Sequence, residues 1–316
     1  MFKNKNVLVS GGAGLTGQES IRQLLDIGAN VRATEYKHRK IKYVHKNLEI
    51  VSCDLIDYDQ CKEVVKDIDI VINCSAFIFG AKGQIKHSSQ LIRKNLVPDI
   101  NLIEASCIQG VEKFAFIGSS TAYPESKSDF LKEDEAFTND PPLYYEGFGW
   151  MKRYCEKVCM HFHHTTKTKF AMVRTGAVYG PWASFDPEMC QVVPSMIMKA
   201  YNKTDPFDIW GDGTQQRDFV YVSDLIDGLL CTIEKYAVAD PINIATGQSS
   251  TVNDLVSVIL KKYKYSPKIN YLKTEPNMAH TRVLNVEKAN AVLGWRSKVS
   301  LEEGISKTID WYNLCE

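Results

Sequence analysis

Short apolar runs alternate with amphipathic stretches through the first half of the chain. NVLVS at 6–10 is too short for a helix and apolar enough for a strand buried on both faces. TGQESIRQLLDIG at 16–28 spaces its apolar residues at helical intervals, which predicts a helix closed by Gly28. The cycle then repeats. Strands are predicted at 30–35 (NVRATE), 48–55 (LEIVSCDL), 69–76 (DIVINCSA), 113–120 (KFAFIGSS) and 169–180 (KFAMVRTGAVYG). Helices are predicted near 58–67 and at 89–108 and 143–165. Such alternation marks an α/β fold, a Rossmann-type doubly wound parallel sheet.

After Gly180 the pattern changes. Pro181, Pro187, Pro194, Pro206, Gly211 and Gly213 break the chain into short elements, which predicts a smaller C-terminal substrate-binding lobe. The expected division is 1–180 and 181–316, with room for later segments to return to the first part. The loop PESKSDFLKEDEAFTNDPP (124–142) is charged and expected at the surface.

Composition narrows the partners. Lys plus Arg and Asp plus Glu each total 38, so the net charge is zero, which argues against nucleic acid or an anionic membrane. A small anion held by a few arginines remains compatible. No apolar run approaches the ~18–20 residues of a membrane span, and MFKNKN leads into a strand without a signal-peptide core, so a cytosolic location is expected. The nine cysteines (53, 61, 74, 107, 155, 159, 190, 231, 315) are scattered and odd in number, which suggests reduced, mostly buried thiols. Cys155 and Cys159 share a helix face, but no His or Cys pair completes a zinc site, and no metal is expected.

The first specific signal is VLVSGGAGLTG (7–17), which sets Gly11, Gly14 and Gly17 three residues apart between a strand and a helix. Glycine lets the backbone approach a pyrophosphate, and the helix N-terminus offers N–H donors and its positive dipole end. A structural glycine turn is the alternative. Glu35 closes the second strand 18 residues past Gly17. A carboxylate there accepts ribose hydroxyls and repels a 2′-phosphate, which favours NAD over NADP. The following YKHRK (36–40) pulls the other way, since a lysine or arginine there attracts a phosphate. Asp54 is placed to meet an adenine amino group, or else to serve as a turn or helix cap.

The second signal is GSSTAYP (118–124) with FGWMK (148–152). With the glycine turn, these segments resemble an extended short-chain dehydrogenase/reductase of the nucleotide-sugar epimerase and dehydratase branch. The resemblance spans essentially the whole chain and includes CDL at 53, NCSA at 73, Asn95, VYGP at 178, WGDGTQQRDFVYVSD at 210 and LGW at 293. It implies a site of Ser or Thr, Tyr and Lys. In that family the tyrosine hydroxyl moves a proton on or off a sugar oxygen while hydride passes to or from the nicotinamide. The lysine holds the nicotinamide ribose and lowers the tyrosine pKa by its charge. Ser119 matches the serine, 29 residues before position 148, and Lys152 matches the lysine. Thr121 is grouped with them by position. The resemblance places Gly11, Gly14, Leu15, Thr16 and Gly17 around the cofactor. Glu35, Asp54, Leu55, Ala76, Asn95 and Lys152 complete that set.

Phe148 stands where the family has tyrosine, and phenylalanine cannot transfer a proton. Three readings stand. One is an introduced Tyr→Phe change that traps a substrate complex in an otherwise intact site. The second is a natural substitution in which Tyr144, Tyr145 or water takes the proton. The third is a protein that binds NAD or a nucleotide sugar without turnover.

Other departures narrow the reaction. The family's 4,6-dehydratases place an acidic pair where Ser120 and Thr121 stand here, so elimination of water is not expected. The local motifs resemble those of GDP-fucose synthases, which share the GSSxxYP form and a WGxGTxxR segment. Their 3,5-epimerising Cys and His correspond to Thr121 and Gln191, neither of which titrates near neutrality. Hydride transfer at C4 remains. Ala177 replaces the Asn usual in the family's NVYG segment, which puts some substrate contacts in doubt.

Arg217 matches the arginine that grips the nucleotide diphosphate, and Arg282 in HTRVLN a second contact to it. An ion pair of Arg217 with Asp218 or Asp224 is the alternative. Lys199 aligns with a basic residue of the same role. The resemblance puts Ser120, Thr121 and Val192 on the substrate side. Trp210 either packs on the base or ribose or is a buried structural residue; a Trp here favours GDP over UDP. The expectation is an NAD-dependent 4-dehydrogenase of a GDP-hexose or GDP-manno-heptose in capsular or surface-polysaccharide synthesis. The alternatives are a GDP- or UDP-sugar 4-epimerase and a disabled form. The family usually dimerises through the helices at 89–108 and 143–165. Ile100, Leu102, Ile103, Val158 and Phe162 are candidates for that interface, or for the core.

Overall fold

The computed structural model describes residues 1–37, 39–80, 87–126, 128, 130–273 and 281–315. The first half contains β1 (Asn6–Ser10), α1 (Leu15–Asp26), β2 (Asn30–Glu35), β3 (Leu48–Ser52), α2 (Tyr58–Val64), β4 (Ile70–Asn73), α3 (Ser88–Ile108) and β5 (Lys113–Ile117). It continues with α4 (Glu146–Thr165), β6 (Lys169–Arg174), β7 (Ala177–Tyr179), α5 (Val192–Tyr201), β8 (Phe207–Trp210), β9 (Gln216–Arg217), β10 (Phe219–Tyr221) and α6 (Val222–Lys235). The chain closes with β11 (Ile242–Asn243), β12 (Ser250–Thr251), α7 (Val252–Tyr263), β13 (Ile269–Leu272), β14 (Thr281–Arg282), α8 (Glu287–Leu293) and α9 (Leu301–Cys315).

Seven parallel strands form the main sheet in the order β11-β6-β5-β4-β1-β2-β3. Successive side chains along a strand point to opposite faces. Val7, Val9, Ile70 and Ile72 join one core with Ile21 and Leu24 of α1 and Leu225 and Leu229 of α6. Leu8, Val71, Phe114 and Phe116 join the other, with Leu102 and Ile103 of α3 and Cys155 of α4. Both faces are covered at the centre of the sheet, which is why β1, β4 and β5 read as apolar runs. The chain winds outward from β1 in both directions, so a crevice opens beyond the ends of β1 and β4, where Ser10 pairs with Asn73.

α6 packs on α1 and β6, and β11 extends the sheet beside β6. Residues after Gly180 thus contribute a strand and a helix to the sheet's surroundings. A separate core gathers Val193 and Ile197 of α5, Phe207 of β8, Leu255 of α7 and Ile305 of α9.

The boundaries differ from the sequence reading for local reasons. The expected strand 113–120 stops at Ile117, because Ser119 caps a short 3₁₀ turn at Ser120–Ala122 by accepting from Thr121 N. The expected strand 169–180 splits into β6 and β7. A Cβ on Gly176 would meet the Asp218 backbone there, and β7 pairs with β10 instead of the main sheet. A 3₁₀ turn at Leu143–Tyr145 precedes α4. Pro98 lies inside α3, which continues through it.

Leu102 and Ile103, candidates for a subunit interface, are fully buried in this chain's own core. Core packing is their role, and that part of the expectation is corrected. Val158 and Phe162 pack partly against the same core, and the exposed large apolar residues of α4 are Trp150 and Tyr154. All nine cysteines are free thiols, six of them buried. Among the described residues no helix is long and apolar enough to cross a membrane.

Behind the 118–124 loop lies a buried ion pair. Arg174 donates from Nε to Glu156 Oε1 (2.9 Å) and from Nη2 to Oε2 (2.7 Å), with both side chains almost inaccessible. Its Nη1 donates to Tyr123 Oη (3.2 Å) and Glu133 O (2.8 Å), and Tyr123 donates on to Asn243 Oδ1 (2.6 Å). Removing one partner of such a pair strands the other charge in the interior. Glu156→Ala should therefore destabilise the fold by about 3–5 kcal/mol. A lower urea midpoint at unchanged slope would show it; a midpoint within error of the parent would refute it.

Candidate active site

The glycine turn forms as its spacing implies, and each glycine has its own reason. Gly11 has φ +62°, and a Cβ there would lie 2.7 Å from Ser75 Cα. A Cβ on Gly17 would strike the backbone of Gly11 and Gly12, so the helix rests directly on the turn. Gly14 differs: its Cβ would meet Gly11 O alone, at 3.4 Å, so the space above it is open. Gly14 is also the N-cap of α1 and brings no side-chain hydrogen bond. The first-turn N–H groups around Leu15 and Thr16 are thus left for a ligand at the helix end. The open cradle fits a pyrophosphate. Gly14→Ala should weaken NAD binding on the order of tenfold with little change in Tm, whereas Gly17→Ala should lower both. Equal Tm losses for the two would remove the cradle assignment.

At the far ends of β2 and β3, Glu35 accepts from Lys40 Nζ (2.6 Å) and Ile41 N (3.1 Å), and the Lys40 bond holds its carboxyl below the ordinary range. Lys40, one of the cations that would attract a 2′-phosphate, is thereby tied to Glu35. Asp54 accepts from Tyr36 Oη (2.7 Å) and Ile56 N (3.1 Å), so it shapes the turn after β3; Leu55 beside it is buried. Asn95 spends its amide on backbone: Phe77 N donates to Oδ1 (2.8 Å), and Nδ2 donates to Phe77 O (2.8 Å) and Leu91 O (2.7 Å). It fixes the segment that carries exposed Ala76.

The proton-transfer segment is assembled from the β5–α4 region. Ser119 Oγ accepts from Thr121 N (3.1 Å) and Thr121 Oγ1 (2.9 Å). Both acceptor positions are filled, so its remaining capacity is its own proton. α4 approaches this loop closely: a Cβ on Gly149 would lie 2.5 Å from Thr121 O, and Arg153 Nε donates to Ala122 O (2.7 Å). One turn into α4, Lys152 is buried, with its ammonium 4.7 Å from the Phe116 ring centre and 5.7 Å from that of Phe148. Ser119, Phe148 and Lys152 thus stand on adjoining elements. Tyr145 goes elsewhere: its ring lies 5.3 Å from the Arg282 guanidinium.

The sequence reading gave no role to Asp99. It is buried in α3, accepts from Asn73 Nδ2 (2.7 Å), and lies 3.6 Å from Lys152 Nζ. The one signal available was a carboxylate directly after a mid-helix proline.

The substrate side centres on two arginines. β14 pairs parallel with β9, so Arg282 and Arg217 are in register on neighbouring strands. Arg282 is buried; its Nη1 donates to Ser120 O (3.2 Å), Tyr123 O (3.0 Å) and Pro124 O (3.2 Å). Its Nε and Nη2 have no partner among the described residues. Burial, with Arg217 adding to it, pulls its pKa down to about 10, which leaves it a cation at neutral pH. Asp218 and Asp224, the suggested partners of Arg217, hold loops instead. Asp218 accepts from Thr246 N (2.8 Å), Thr246 Oγ1 (2.6 Å) and Gly247 N (2.9 Å); Asp224 accepts from Lys298 N (2.7 Å) and Val299 N (2.9 Å). Lys199 donates to Asp208 O (2.6 Å), which joins α5, headed by Val192, to the strand that ends in half-buried Trp210.

Known proteins carry the same plan. The GDP-L-fucose synthase of Sinorhizobium fredii is 26% identical, covering 98% of this chain and 96% of that protein. The dTDP-4-dehydro-6-deoxy-D-allose reductase of Streptomyces sp is 27% identical, covering 99% and 98%. The UDP-N-acetylglucosamine 4-epimerase from Methanobrevibacter ruminantium M1, solved with UDP-N-acetylmuramic acid, superposes with a TM-score of 0.89 at 26% identity, covering 99% of this chain and all of that one. The profile of the NAD dependent epimerase/dehydratase family matches residues 7–245. With most of its length matched and the glycine turn, serine loop and lysine helix in place, the chain belongs to the NAD dependent epimerase/dehydratase family.

Proposed function

We propose that this protein binds NAD and a nucleotide-linked sugar, GDP-linked by preference, and is built for oxidation at C4 to a 4-keto sugar. A GDP-hexose or GDP-manno-heptose is the proposed substrate. The observation that carries the substrate class is Arg282: a buried guanidinium whose Nε and Nη2 have no partner among the described residues, in register with Arg217 and against the Ser120 carbonyl. The Nε and Nη2 edge of Arg282 is a fork of donors that suits a phosphate.

NAD, when bound, supplies the acceptor for one hydride. The chain's part is to hold and to move protons. The turn at Gly14 receives the pyrophosphate, Glu35 accepts from the ribose, and Lys152 holds the nicotinamide ribose. Ser119, its acceptor positions filled by Thr121, donates its proton toward the C4 oxygen. Phe148 occupies the place from which a phenol would take the C4 hydroxyl proton, and its ring has no atom that can do so. With Phe148 in place, the protein is therefore proposed to bind both ligands and turn over poorly. We also propose a homodimer, with the exposed Trp150 and Tyr154 of α4 at its interface.

A 4-epimerase is the second reading, favoured by the likeness to the UDP-N-acetylglucosamine 4-epimerase. The two readings differ in whether the ketone leaves or is reduced on its other face. The test mixes the chain and its Phe148→Tyr variant with NAD and a panel of GDP- and UDP-sugars, following reduced nicotinamide and sugar products. Net NADH supports the dehydrogenase, and a 4-epimer without net NADH supports the epimerase. Failure of both proteins to bind any nucleotide sugar sinks the proposal.

A further inference from the structure

Asp99 has no task in the mechanism above, yet it sits at the centre of the cofactor end of the sheet. Its oxygens face two different elements. Oδ1 accepts from Asn73 Nδ2 at 2.7 Å, and Oδ2 lies 3.6 Å from Lys152 Nζ and 3.6 Å from Cys155 Sγ. Asn73 Oδ1 accepts in turn from Ser10 Oγ (2.7 Å), Ser75 Oγ (2.6 Å) and Ser75 N (3.2 Å). One chain of polar contacts therefore runs from the end of β1 and the turn after β4, through α3, to the ammonium on α4.

Charge and burial make the arrangement directional. The Asp99 and Lys152 side chains are 2% and 6% exposed, and a buried charge is tolerated only when paired. The Phe116 and Phe148 rings also lie near the ammonium and attract a cation weakly. Among the described residues no second carboxylate stands within ion-pair distance of Lys152. The Asn73 amide cannot flip, because its oxygen already takes three donors and its nitrogen faces a carboxylate. Position 99 must therefore accept from Asn73 on one side and oppose a cation on the other.

We propose that Asp99 is a positioning residue for the cofactor. As the fixed counter-ion of Lys152, it sets the ammonium against the nicotinamide ribose. Through Asn73 it ties that ammonium to Ser10 and Ser75, the residues flanking the glycine turn. The inference rests on the reading of Lys152 as holder of that ribose. The Asp99→Asn variant isolates the charge. It keeps the shape and the bond from Asn73 but turns an N–H donor toward the ammonium.

The test measures NAD and NADH dissociation constants by calorimetry on the full chain. Phe148 stays in place, so turnover does not interfere. The set is the parent, Asp99→Asn, Lys152→Met and the double variant, each with its urea unfolding midpoint without cofactor. Asp99→Asn and Lys152→Met should each weaken NAD binding about ten- to a hundredfold, the worth of one charged hydrogen bond. The double variant should bind no more weakly than Lys152→Met alone, because the two act as a unit. Additive losses would overturn the proposal. So would an Asp99→Asn protein whose midpoint falls while its NAD affinity stays within about twofold, the mark of a purely structural carboxylate. If Lys152→Met leaves NAD binding unchanged, the reading of Lys152 fails first and this inference falls with it.

Discussion

Phe148→Tyr should raise turnover of the nucleotide sugar by about 10²–10⁴-fold, the usual worth of a positioned acid–base group. The surroundings already suit a phenol. Ser119 has its proton free to donate, α4 is seated on the loop through Gly149, and the Lys152 ammonium lies 5.7 Å from the ring that a tyrosine would replace. That positive charge favours the phenolate and holds the introduced group below the ordinary ~10. The sign of the pH dependence follows. Oxidation needs the deprotonated phenol, so the rate of the tyrosine form should climb with pH and level off once the group has ionised. The phenylalanine form should lack that limb. Rates and pH profiles of the two proteins, taken by NADH absorbance and product analysis, decide it. If the phenylalanine form is as fast, another group carries the proton and the assignment of position 148 is wrong. Tyr145 would then be the next phenol to remove, although its ring is engaged with Arg282 at 5.3 Å.

The legible and illegible parts of this protein divide along physical lines. Strands buried on both faces have to be continuous apolar runs, so β1 and β4 are visible in sequence to within a few residues. The glycine turn was legible because backbone contact forbids side chains at fixed spacings, as Gly11 and Gly17 show. Elements whose ends depend on distant partners were not. β6 and β7 read as one strand, because the break between them is imposed by Asp218, more than 40 residues away. Leu102 and Ile103 were ambiguous, since an apolar helix face suits a sheet or a second subunit equally well. Within the site, Ser119 and Lys152 carried recognisable motifs, but Asp99 did not. Its meaning comes from Asn73 and Lys152, which lie 26 and 53 positions away and meet it only in the fold.

Arg282 should prove as decisive for binding as position 148 is for turnover. A buried guanidinium whose Nε and Nη2 have no partner among the described residues bears a desolvation cost that a phosphate would recover. Charged hydrogen bonds contribute about 1.5–3 kcal/mol each, so two of them imply a 10²–10⁴-fold loss of GDP affinity when they are removed. The choice of variant matters, because Nη1 also holds the carbonyls of Ser120, Tyr123 and Pro124. Arg282→Met deletes both functions, whereas Arg282→Lys keeps the charge and can satisfy a carbonyl but loses the fork. Both should lose GDP affinity, Arg282→Met the more. Calorimetry with GDP and UDP reads affinity, and the ligand-induced rise in Tm reads the same quantity independently through mass action. A structural arginine would behave otherwise: the variants would melt earlier, yet saturating GDP would still raise their Tm by as much as it raises the parent's. That outcome would take the diphosphate away from Arg282 and, with it, the main support for a nucleotide-sugar substrate.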